Sequence, residues 1–504
     1  MPLLNSIASW IMKKRIHQIE LFMKYPHEVQ FEWFRRLIEA SEETEWGMKF
    51  DYHSIETVEQ FKERVPVQDY ETLKPYIERI RKGEQNILWP GEITWFAKSS
   101  GTTGDKSKYI PVSIESLDGC HYNGGRDMVA LHCNNNPETR IFTGKNLALA
   151  GSYHTEKFGS YESQSGDLSA LVIGNLPRWA EFLRAPDLSI ALMDEWEEKL
   201  EKIARSTAEE NITSIAGVPS WMLILLKKIL EVTGKKNIKE VWPELEVYFH
   251  GGVNFSPYRE QFKTIFNSSD VKYLELYNAS EGFFGIQDQA SSDELLLMLD
   301  YGIYYEFMPL EELEKENKKT LSLDEVKTDT NYAVVISTSA GLWRYMLGDT
   351  IKFSNLSPFR FKITGRTKQF INAFGEEVIV DNAEKALAIA CEKAGAMIRE
   401  YTAAPVYMQE NETGAHEWLI EFEKEPQDIG YFREVLDNAL KSLNSDYEAK
   451  RYHNFALREP IIRIMKEGTF YAWLKSKNKL GGQYKVPRLS NNRNYVEEII
   501  KLES

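Results

Sequence analysis

Cysteine is scarce in this chain, with three in 504 residues. Cys120, Cys133 and Cys391 form no Cys-x-x-Cys pair and have no matching histidine cluster. The sequence therefore supports neither a disulfide framework nor a structural zinc site. Free cysteines in small number are typical of proteins of the reducing cytoplasm, which is the location we expect.

The chain also lacks a net positive charge and long apolar runs. The formal net charge is -15 at pH 7, and basic runs are brief, as at 13–15. Since nucleic-acid binding needs a basic surface, we expect no general nucleic-acid partner. No apolar run approaches the roughly 18 residues that span a bilayer, so we expect no membrane partner. The N-terminus is apolar before it is basic, the reverse of a secretory signal, and is interpreted as an amphipathic helix.

The length predicts more than one hydrophobic core, because 504 residues are about three times a typical domain. Apolar residues at helical spacing predict helices within 5–40, and a second helical segment over 71–83 closes on Lys82 and Gly83. Between 165 and 350, β-like runs at 247–249, 271–277 and 333–337 alternate with helical stretches, as in a layered α/β domain. The polar turns after these runs are candidate walls of a ligand site.

From residue 361 the pattern changes to that of a smaller α+β unit. Asp381 and Glu384 form a capping-box pattern that predicts a helix ending near Gly395. A strand over 417–423, a helix over 430–443 and a strand over 460–465 are predicted to follow. The polar segment 364–368 suits a hinge. We therefore expect an α/β protein with a large multilayer domain of mixed sheets and helices over 1–365 and a small mobile α+β lid domain over 366–504.

Residues 99–109, Ser-Ser-Gly-Thr-Thr-Gly-Asp-Lys-Ser-Lys-Tyr, form the most informative segment. Glycines and compact hydroxyl residues let backbone N–H groups converge on an anion, and Lys108 adds charge, which favours a phosphate-binding loop. It is not a Walker A loop, because Asp105 stands where that motif needs a glycine before Lys106. Taken alone, the composition is also typical of a solvated turn.

A second segment, 277–281, closes a predicted strand with the sequence Tyr-Asn-Ala-Ser-Glu. The Tyr277 ring is suited to stacking on a purine, and the Glu281 carboxylate to bridging Mg²⁺ to nucleotide phosphates. The alternative interpretation is a helix N-cap, for which asparagine and serine are equally suitable.

Two further segments place a charged residue beside a glycine-containing turn. Asp349 follows a β run and Gly348, where an acid can accept hydrogen bonds from both ribose hydroxyls, although Gly-Asp is also a common surface turn. Lys485 lies in the glycine- and proline-bracketed loop 481–488. It is either a solvated surface residue or, on a mobile small domain, a cation delivered to the α-phosphate of a nucleotide.

These four elements occur together, in this order, in the ANL adenylate-forming enzymes, and the chain closely resembles one branch of them. That branch is the Gretchen Hagen family of acyl acid amido synthetases, plant enzymes that conjugate auxin or jasmonate to amino acids, with bacterial relatives. The resemblance includes a lead-in over 65–83 that general acyl-CoA ligases lack, and it implies the ANL fold. The other matching segments, which bring the coverage to most of the chain, are 99–109, 250–252, 256–257, 277–285, 341–349, 365–366 and 483–488.

The resemblance also implies ATP and Mg²⁺ as cofactors and a role for each matched residue. Glu281 is expected to hold magnesium, and Lys485 to promote adenylation when the small domain closes. The triphosphate is assigned to Ser99, Ser100, Gly101, Thr102, Thr103, Gly104 and Lys108, the adenine to Gly251, Gly252, Tyr277, Asn278, Ala279 and Ser280, and the ribose to Asp349 with Arg366 beside it.

Three departures from the plant pattern concern substrate identity and hinge mechanics more than the nucleotide site. Met346 stands where the plant enzymes have arginine, Thr103 stands where they have serine, and 368–370 is a different hinge sequence.

The implied reaction has two halves. A carboxylate attacks the α-phosphate of ATP to give an acyl-adenylate and pyrophosphate, and an amine, expected to be an amino acid, then displaces AMP. For the acyl pocket we expect Val218 and Trp221 as an apolar wall, Phe283 as a third candidate and Arg126 as a partner for a carboxylate. A purely structural role is the alternative for each of these four residues, above all for Trp221, because its surroundings predict a core helix.

Two alternatives stay open at this point. One is a ligase that forms acyl-CoA or another thioester, which the lead-in over 65–83 disfavours. The other is a relative that binds a nucleotide or an acyl group without catalysis, which the joint presence of Glu281, Asp349 and Lys485 disfavours. The identity of the acid, of the amine and of any oligomer is not specified by the sequence.

Overall fold

The computed structural model describes residues 2–99, 108–176, 178–252, 255, 258–290, 292–313, 315–367, 370–371, 373–374, 376, 378–407, 414–451, 457–480 and 485–503. The chain divides into two compact units. Unit 1 comprises Met1–Val218, Leu225–Gly252 and Ser268–Lys362, and unit 2 comprises Pro219–Ile224, Val253–Asn267 and Ile363–Ser504. The domain division at 365/366 stays a prediction.

Unit 1 is a mixed α/β unit. Its helices are α1 Pro2–Lys24, α2 Pro26–Ser41, α3 Glu45–Lys49, α4 Val58–Arg64, α5 Tyr70–Arg81, α6 Ile114–Ser116, α7 Asn123–Asn135, α8 Leu168–Gly174, α9 Leu188–Ala191, α10 Trp196–Thr207, the C-terminal part of α11 Pro219–Thr233, and α12 Ile238–Val241. Its strands are β1 Trp95–Ser99, β2 Lys108–Val112, β3 Lys145–Ala148, β4 Tyr153–Phe158, β5 Tyr161–Gly166, β6 Arg184–Ala185, β7 Ile212–Gly217, β8 Val247–Gly251, β9 Lys272–Ala279, β10 Gly282–Ile286, β11 Leu295–Leu297, β12 Ile303–Pro309, β13 Asn331–Thr338, β14 Tyr345–Leu356 and β15 Phe359–Arg366, whose last residues belong to unit 2.

Unit 1 contains two β-sheets. The larger has eleven strands in the order β12-β13-β14-β15-β11-β10-β9-β8-β7-β3-β6, and the smaller has four in the order β2-β1-β5-β4. Strands β6, β3, β7, β8 and β9 pair in parallel, whereas β9, β10 and β11 pair antiparallel. The change of direction at β9 places the turn after that strand, residues 280–281, where parallel and antiparallel parts of the sheet meet.

Helix α5 illustrates how local sequence builds the elements of unit 1. The Asp69 side chain accepts a hydrogen bond from the Thr72 backbone N–H, and the Thr72 hydroxyl accepts one from the Asp69 N–H, which together form a capping box. Leu73, Ile77 and Ile80 share one face at helical spacing and are at most 1% exposed. The helix closes at Lys82 and at Gly83, whose φ of +105° favours glycine, so the predicted helix is confirmed.

Unit 2 is an α+β unit, as expected for the C-terminal part of the chain. Its helices are α13 Arg259–Phe266, α14 Val380–Ala394, α15 Ile429–Leu443, α16 Ser445–Arg451, α17 Thr469–Ser476 and α18 Asn494–Lys501, together with the N-terminal turns of α11. Strands β16 Phe370–Ile371 and β17 Val378–Ile379 form a two-stranded ribbon, and β18 Met397–Val406, β19 Ala415–Lys424 and β20 Ile461–Met465 form a three-stranded sheet. Apolar residues of α14, α15, β18 and β19 form its core.

The expected capping box at the start of α14 is wrong. The helix begins at Val380, and the Asn382 side-chain oxygen accepts a hydrogen bond from the Ile379 N–H at 3.2 Å. Asp381 instead lies in the first turn, where it pairs with Lys385 at 2.6 Å. The predicted end of the helix is confirmed, with Gly395 at a φ of +64°.

Within the described part of the chain, no helix has both the length and the apolar character needed to cross a bilayer.

Candidate active site

The glycine-rich segment 99–109 connects the two strands of a hairpin. Strands β1 and β2 pair antiparallel, with Ser99 opposite Lys108. The predicted triphosphate residues Ser100, Gly101, Thr102, Thr103 and Gly104 lie outside the described residues, and only the backbone of Ser99 is described. Lys108 is half-buried, with its ammonium group 3.4 Å from the Tyr345 hydroxyl and 5.6 Å from the centre of the Tyr70 ring. The hairpin thus presents Lys108 at the base of the predicted phosphate loop.

Gly251 ends strand β8 and Gly252 follows it, at the turn that the sequence predicts to be a site wall. Gly251 pairs with Leu276 of β9, and a Cβ atom on Gly251 would lie 2.4 Å from the Leu276 carbonyl oxygen. Gly252 has a φ of +83°. A side chain is therefore excluded at the first position by the neighbouring strand and strained at the second, so both positions require glycine.

The segment 277–281 ends β9 and turns into β10. Ala279 pairs with Gly282, so Ser280 and Glu281 form a tight turn between two antiparallel strands. The helix N-cap alternative is therefore wrong, because no helix follows in this described stretch. Asn278 is exposed, and Ala279, Ser280 and Glu281 are half-buried.

Tyr277 and Asp349 are joined by a buried hydrogen bond. The Tyr277 hydroxyl donates to Asp349 Oδ2 at 2.7 Å, although the two residues are 72 positions apart. The side chains are 6% and 7% exposed, and Phe284 and Phe361 pack against the Tyr277 ring. Asp349 lies inside β14, so its expected position at a strand end is wrong. Since one carboxylate oxygen is fixed by the tyrosine, the orientation of Asp349 is set by the core of the sheet.

Glu281 is the predicted magnesium ligand, and its surroundings restrict how it could bind the ion. Among the described residues there is no group of three or more acidic, histidine or cysteine side chains that could hold a metal. Mg²⁺ bound through one or two carboxylates and substrate phosphates needs no such group. The Glu281 carboxylate therefore fits a magnesium ion that is brought with a nucleotide.

Lys485 lies on a segment of unit 2 that is anchored to strand β18. The Ala403 N–H donates to the Arg488 carbonyl at 2.9 Å, and the Ser490 N–H donates to the Ala403 carbonyl at 3.1 Å. Arg488 is buried, forms an ion pair with Glu400 and donates to the Tyr258 hydroxyl at 2.9 Å. Lys485 itself is exposed, three residues before this anchor.

Arg366 and the predicted hinge lie at the end of β15. Thr364, Gly365 and Arg366 continue that strand, and Arg366 is half-buried. Lys368 and Gln369 of the hinge lie outside the described residues. The roles of Arg366 and of the hinge stay predictions.

The acyl-pocket candidates differ in exposure. Arg126 on α7 is 44% exposed and its Nε lies 3.7 Å from Asp127 Oδ1. Phe283 is 5% exposed, and its ring occupies the space where a Cβ on Gly124 of α7 would lie, at 2.3 Å. The close packing of Phe283 against α7 places it in the same region as the helix that carries Arg126.

The other two acyl-pocket candidates lie around the start of α11. Val218 is half-buried at the N-cap. Trp221 is 3% exposed, and its ring centre lies 6.3 Å from that of Tyr471 within unit 2. This packing agrees with the core-helix interpretation of Trp221, and contact of either residue with an acyl group stays a prediction.

Sequence reasoning missed the aromatic and ionic contacts behind the site. Tyr70 and Tyr345 flank Lys108, and Arg344, buried with a φ of +44°, forms an ion pair with Glu306. Tyr70 lies in the lead-in and Tyr345 in the segment 341–349, so both positions fall in matching motifs. Their contacts depend on pairings between distant segments, which a single sequence does not reveal.

The fold is that of the ANL adenylate-forming ligases. A solved 2-hydroxyisobutyryl-CoA ligase superimposes with a TM-score of 0.58 at 13% identity, covering 95% of this chain and 90% of that one. A solved structure of GH3.15 acyl acid amido synthetase superimposes with a TM-score of 0.79 at 17% identity, covering 97% and 95%. These similarities confirm the predicted fold class.

The chain belongs to the GH3 family, which is the Gretchen Hagen family. The family's N-terminal domain model matches residues 15–271, its central domain model 296–366 and its C-terminal domain model 381–494. The indole-3-acetic acid-amido synthetase GH3.3 of Arabidopsis thaliana is 25% identical over 94% of this chain and 91% of its own length. The family and the enzyme class predicted from the sequence, an acyl acid amido synthetase, are confirmed.

Proposed function

We propose that this protein uses ATP to adenylate a small carboxylic acid and transfers the acyl group to an amino acid, releasing AMP and pyrophosphate. The observation that carries the proposal is the buried Tyr277–Asp349 hydrogen bond, which joins the predicted adenine segment to the predicted ribose carboxylate at 2.7 Å. A rigid pair of this kind suits nucleoside binding, because the carboxylate is oriented before the ligand arrives.

The nucleotide is proposed to lie at the ends of β8 and β9, next to Asp349 of β14, which contacts Tyr277 of β9. Gly251 and Gly252 are proposed to face the adenine, and the Asp349 carboxylate, oriented by Tyr277, is proposed to accept hydrogen bonds from the ribose hydroxyls. Lys108 and the loop 99–104 hold the triphosphate. Magnesium, when bound with ATP through Glu281, would supply charge neutralisation at the phosphates.

Lys485 is proposed to supply positive charge to the α-phosphate as the substrate carboxylate attacks it. Charge develops on the phosphoryl oxygens in such a displacement, and a fixed cation lowers the barrier. Hydrogen bonds of the Arg488 and Ser490 backbone to β18 anchor the chain a few residues after Lys485, and the Lys485 side chain is exposed. The small domain is proposed to exclude water from the acyl-adenylate, which hydrolyses easily.

The acid is proposed to meet Arg126, Phe283, Val218 and Trp221. An aromatic or alkyl acid fits this largely apolar set, and the relative named above acts on indole-3-acetic acid. A cytoplasmic location completes the proposal and rests on the three free cysteines.

The test is pyrophosphate exchange into ATP with a panel of carboxylic acids that begins with indole-3-acetic acid. Exchange that depends on the acid is expected, because adenylation is reversible and needs no amine. Failure of every acid to support exchange, in a protein that binds ATP, would favour the non-catalytic alternative.

A thioester-forming ligase is the second candidate, since the coenzyme A ligase named above shares the fold. The two candidates differ in the acceptor of the second half-reaction.

A further inference from the structure

Helix α5 contacts the stem of the predicted phosphate loop from both of its ends. Tyr70, its first residue, accepts a hydrogen bond through its hydroxyl from the Tyr109 backbone N–H at 2.8 Å. Arg81, its last residue, places its guanidinium carbon 4.4 Å from the centre of the Tyr109 ring. Tyr109 immediately follows Lys108 on β2, so the helix restrains the strand that carries the predicted phosphate ligand.

Lys108 is itself oriented by two tyrosines. Its ammonium group lies 5.6 Å from the centre of the Tyr70 ring, within the range of a cation–π interaction, and 3.4 Å from the Tyr345 hydroxyl. Tyr70 is 6% exposed and Tyr345 is fully buried, so both partners are held by the core. Burial raises the pKa of the Tyr70 phenol to about 12, which keeps its hydroxyl protonated at neutral pH.

The start of α5 is in turn tied to the strand that carries Asp349. The Gln68 N–H donates to the Arg344 carbonyl at 2.9 Å, and the Met346 N–H donates to the Gln68 carbonyl at 2.8 Å. Both bonds lie at the beginning of β14, a few residues before Asp349. Tyr70 therefore stands between the loop stem and the strand of the predicted ribose carboxylate.

We propose that Tyr70 is a positioning residue for ATP, which fixes the Lys108–Tyr109 stem relative to the strand of Asp349. This inference rests on the proposed function, in which Lys108 contacts the triphosphate and Asp349 the ribose. Tyr70 touches no reacting atom in this account. It acts by keeping the two halves of the nucleotide site in register before ATP binds.

Loss of the Tyr70 hydroxyl is expected to weaken ATP binding and to leave the rate of the chemical step nearly unchanged. If the Lys108–Tyr109 stem is less restrained, a smaller fraction of the protein is ready to bind ATP. The apparent dissociation constant of ATP then rises in inverse proportion to that fraction. A neutral hydrogen bond of ordinary strength corresponds to a change of about fivefold.

The test compares Tyr70→Phe with Tyr332→Phe. Tyr332 is a matched control, because its buried hydroxyl also accepts a hydrogen bond from a backbone N–H, that of Lys327 at 3.0 Å. The dissociation constant of ATP is measured by titration calorimetry, the KM for ATP and kcat by pyrophosphate exchange, and stability by urea unfolding. We expect the dissociation constant and KM to rise about fivefold in Tyr70→Phe with kcat within twofold, and neither to change in Tyr332→Phe.

The outcomes separate this inference from the proposed function. If the wild type binds ATP and catalyses exchange while both variants bind ATP equally well, the inference is overturned and the function stands. If the wild type binds ATP without exchange, the function fails, and the difference in ATP affinity between the variants still decides the role of Tyr70. If the wild type binds no ATP, both fail.

Discussion

Removal of the Tyr277 hydroxyl is the sharpest perturbation of the nucleotide site. In Tyr277→Phe the ring stays between Phe284 and Phe361, while Asp349 loses a donor at 2.7 Å. The carboxylate is 7% exposed, so water cannot replace that donor freely. The substitution therefore isolates one hydrogen bond to a buried acid.

The expected size of the effect follows from the charge of the acceptor, the Asp349 carboxylate. Hydrogen bonds to charged groups contribute about 1.5–3 kcal/mol, roughly twice the value for neutral pairs. If Asp349 holds the ribose in the orientation set by Tyr277, this energy appears as a loss of ATP affinity of about 10- to 150-fold. Any part of this energy that does not appear in ATP binding appears as a loss of stability of the free protein.

Tyr301→Phe supplies the matched control. The Tyr301 hydroxyl donates to Asp127 Oδ2 at 2.6 Å, and both residues are fully buried. Urea unfolding should show a loss of stability in both variants, whereas titration calorimetry with ATP should show weakened binding only in Tyr277→Phe. Equal ATP affinity in the wild type and Tyr277→Phe would refute the assignment of Asp349 to the ribose, because the orienting bond would then have no ligand to act on.

Three further predictions concern catalysis, stability and pH. Lys485→Ala should abolish acid-dependent pyrophosphate exchange while ATP binding by calorimetry stays within a fewfold, and unimpaired exchange would remove this lysine from the mechanism. Glu306→Gln leaves the buried guanidinium of Arg344 without its carboxylate, 2.9 Å away in the wild type, and should lower the free energy of unfolding in urea by about 3–5 kcal/mol. A loss below about 1 kcal/mol would show that the pair is not needed at the start of β14. Burial raises the pKa of Asp167 to about 7, against the attraction of the Lys199 and Lys98 ammonium groups, so the folded protein should lose stability as the pH rises from about 4 to about 7. Urea unfolding of Asp167→Asn across this range should therefore show a growing advantage over the wild type, and a difference independent of pH would contradict the direction of the shift.

Local sequence features predicted the helices well where they carry their own start and stop signals. Helix α5 is an example, since its apolar spacing and its closing lysine and glycine are all within the segment. The same reasoning failed at α14, where the helix begins at Val380 and Asn382, in place of Glu384, is the side chain that accepts a hydrogen bond from the N-cap N–H, that of Ile379. Asp381, Asn382 and Glu384 all suit the start of a helix, and the sequence cannot rank them without the backbone geometry.

The turn at 280–281 shows a different limit of prediction from the sequence. Asparagine, serine and glutamate suit a helix N-cap and a tight turn equally, and only the pairing of β9 with β10 selects the turn. The Tyr277–Asp349 bond spans 72 positions and the Lys108–Tyr345 contact spans 237, so neither follows from local propensity. The family resemblance placed these residues in motifs, but β9 and β14 are not neighbours in the sheet and β2 belongs to the other sheet, so only the tertiary fold brings the residues into contact.

The acceptor of the acyl group tests the central claim most directly. Wild-type protein is incubated with ATP, Mg²⁺ and an acid that supports pyrophosphate exchange, then supplied with either the common amino acids or coenzyme A, and the products are identified by mass spectrometry. An acyl–amino acid amide formed together with AMP is the predicted result. Release of AMP only with coenzyme A, accompanied by a thioester and no amide, would contradict the account.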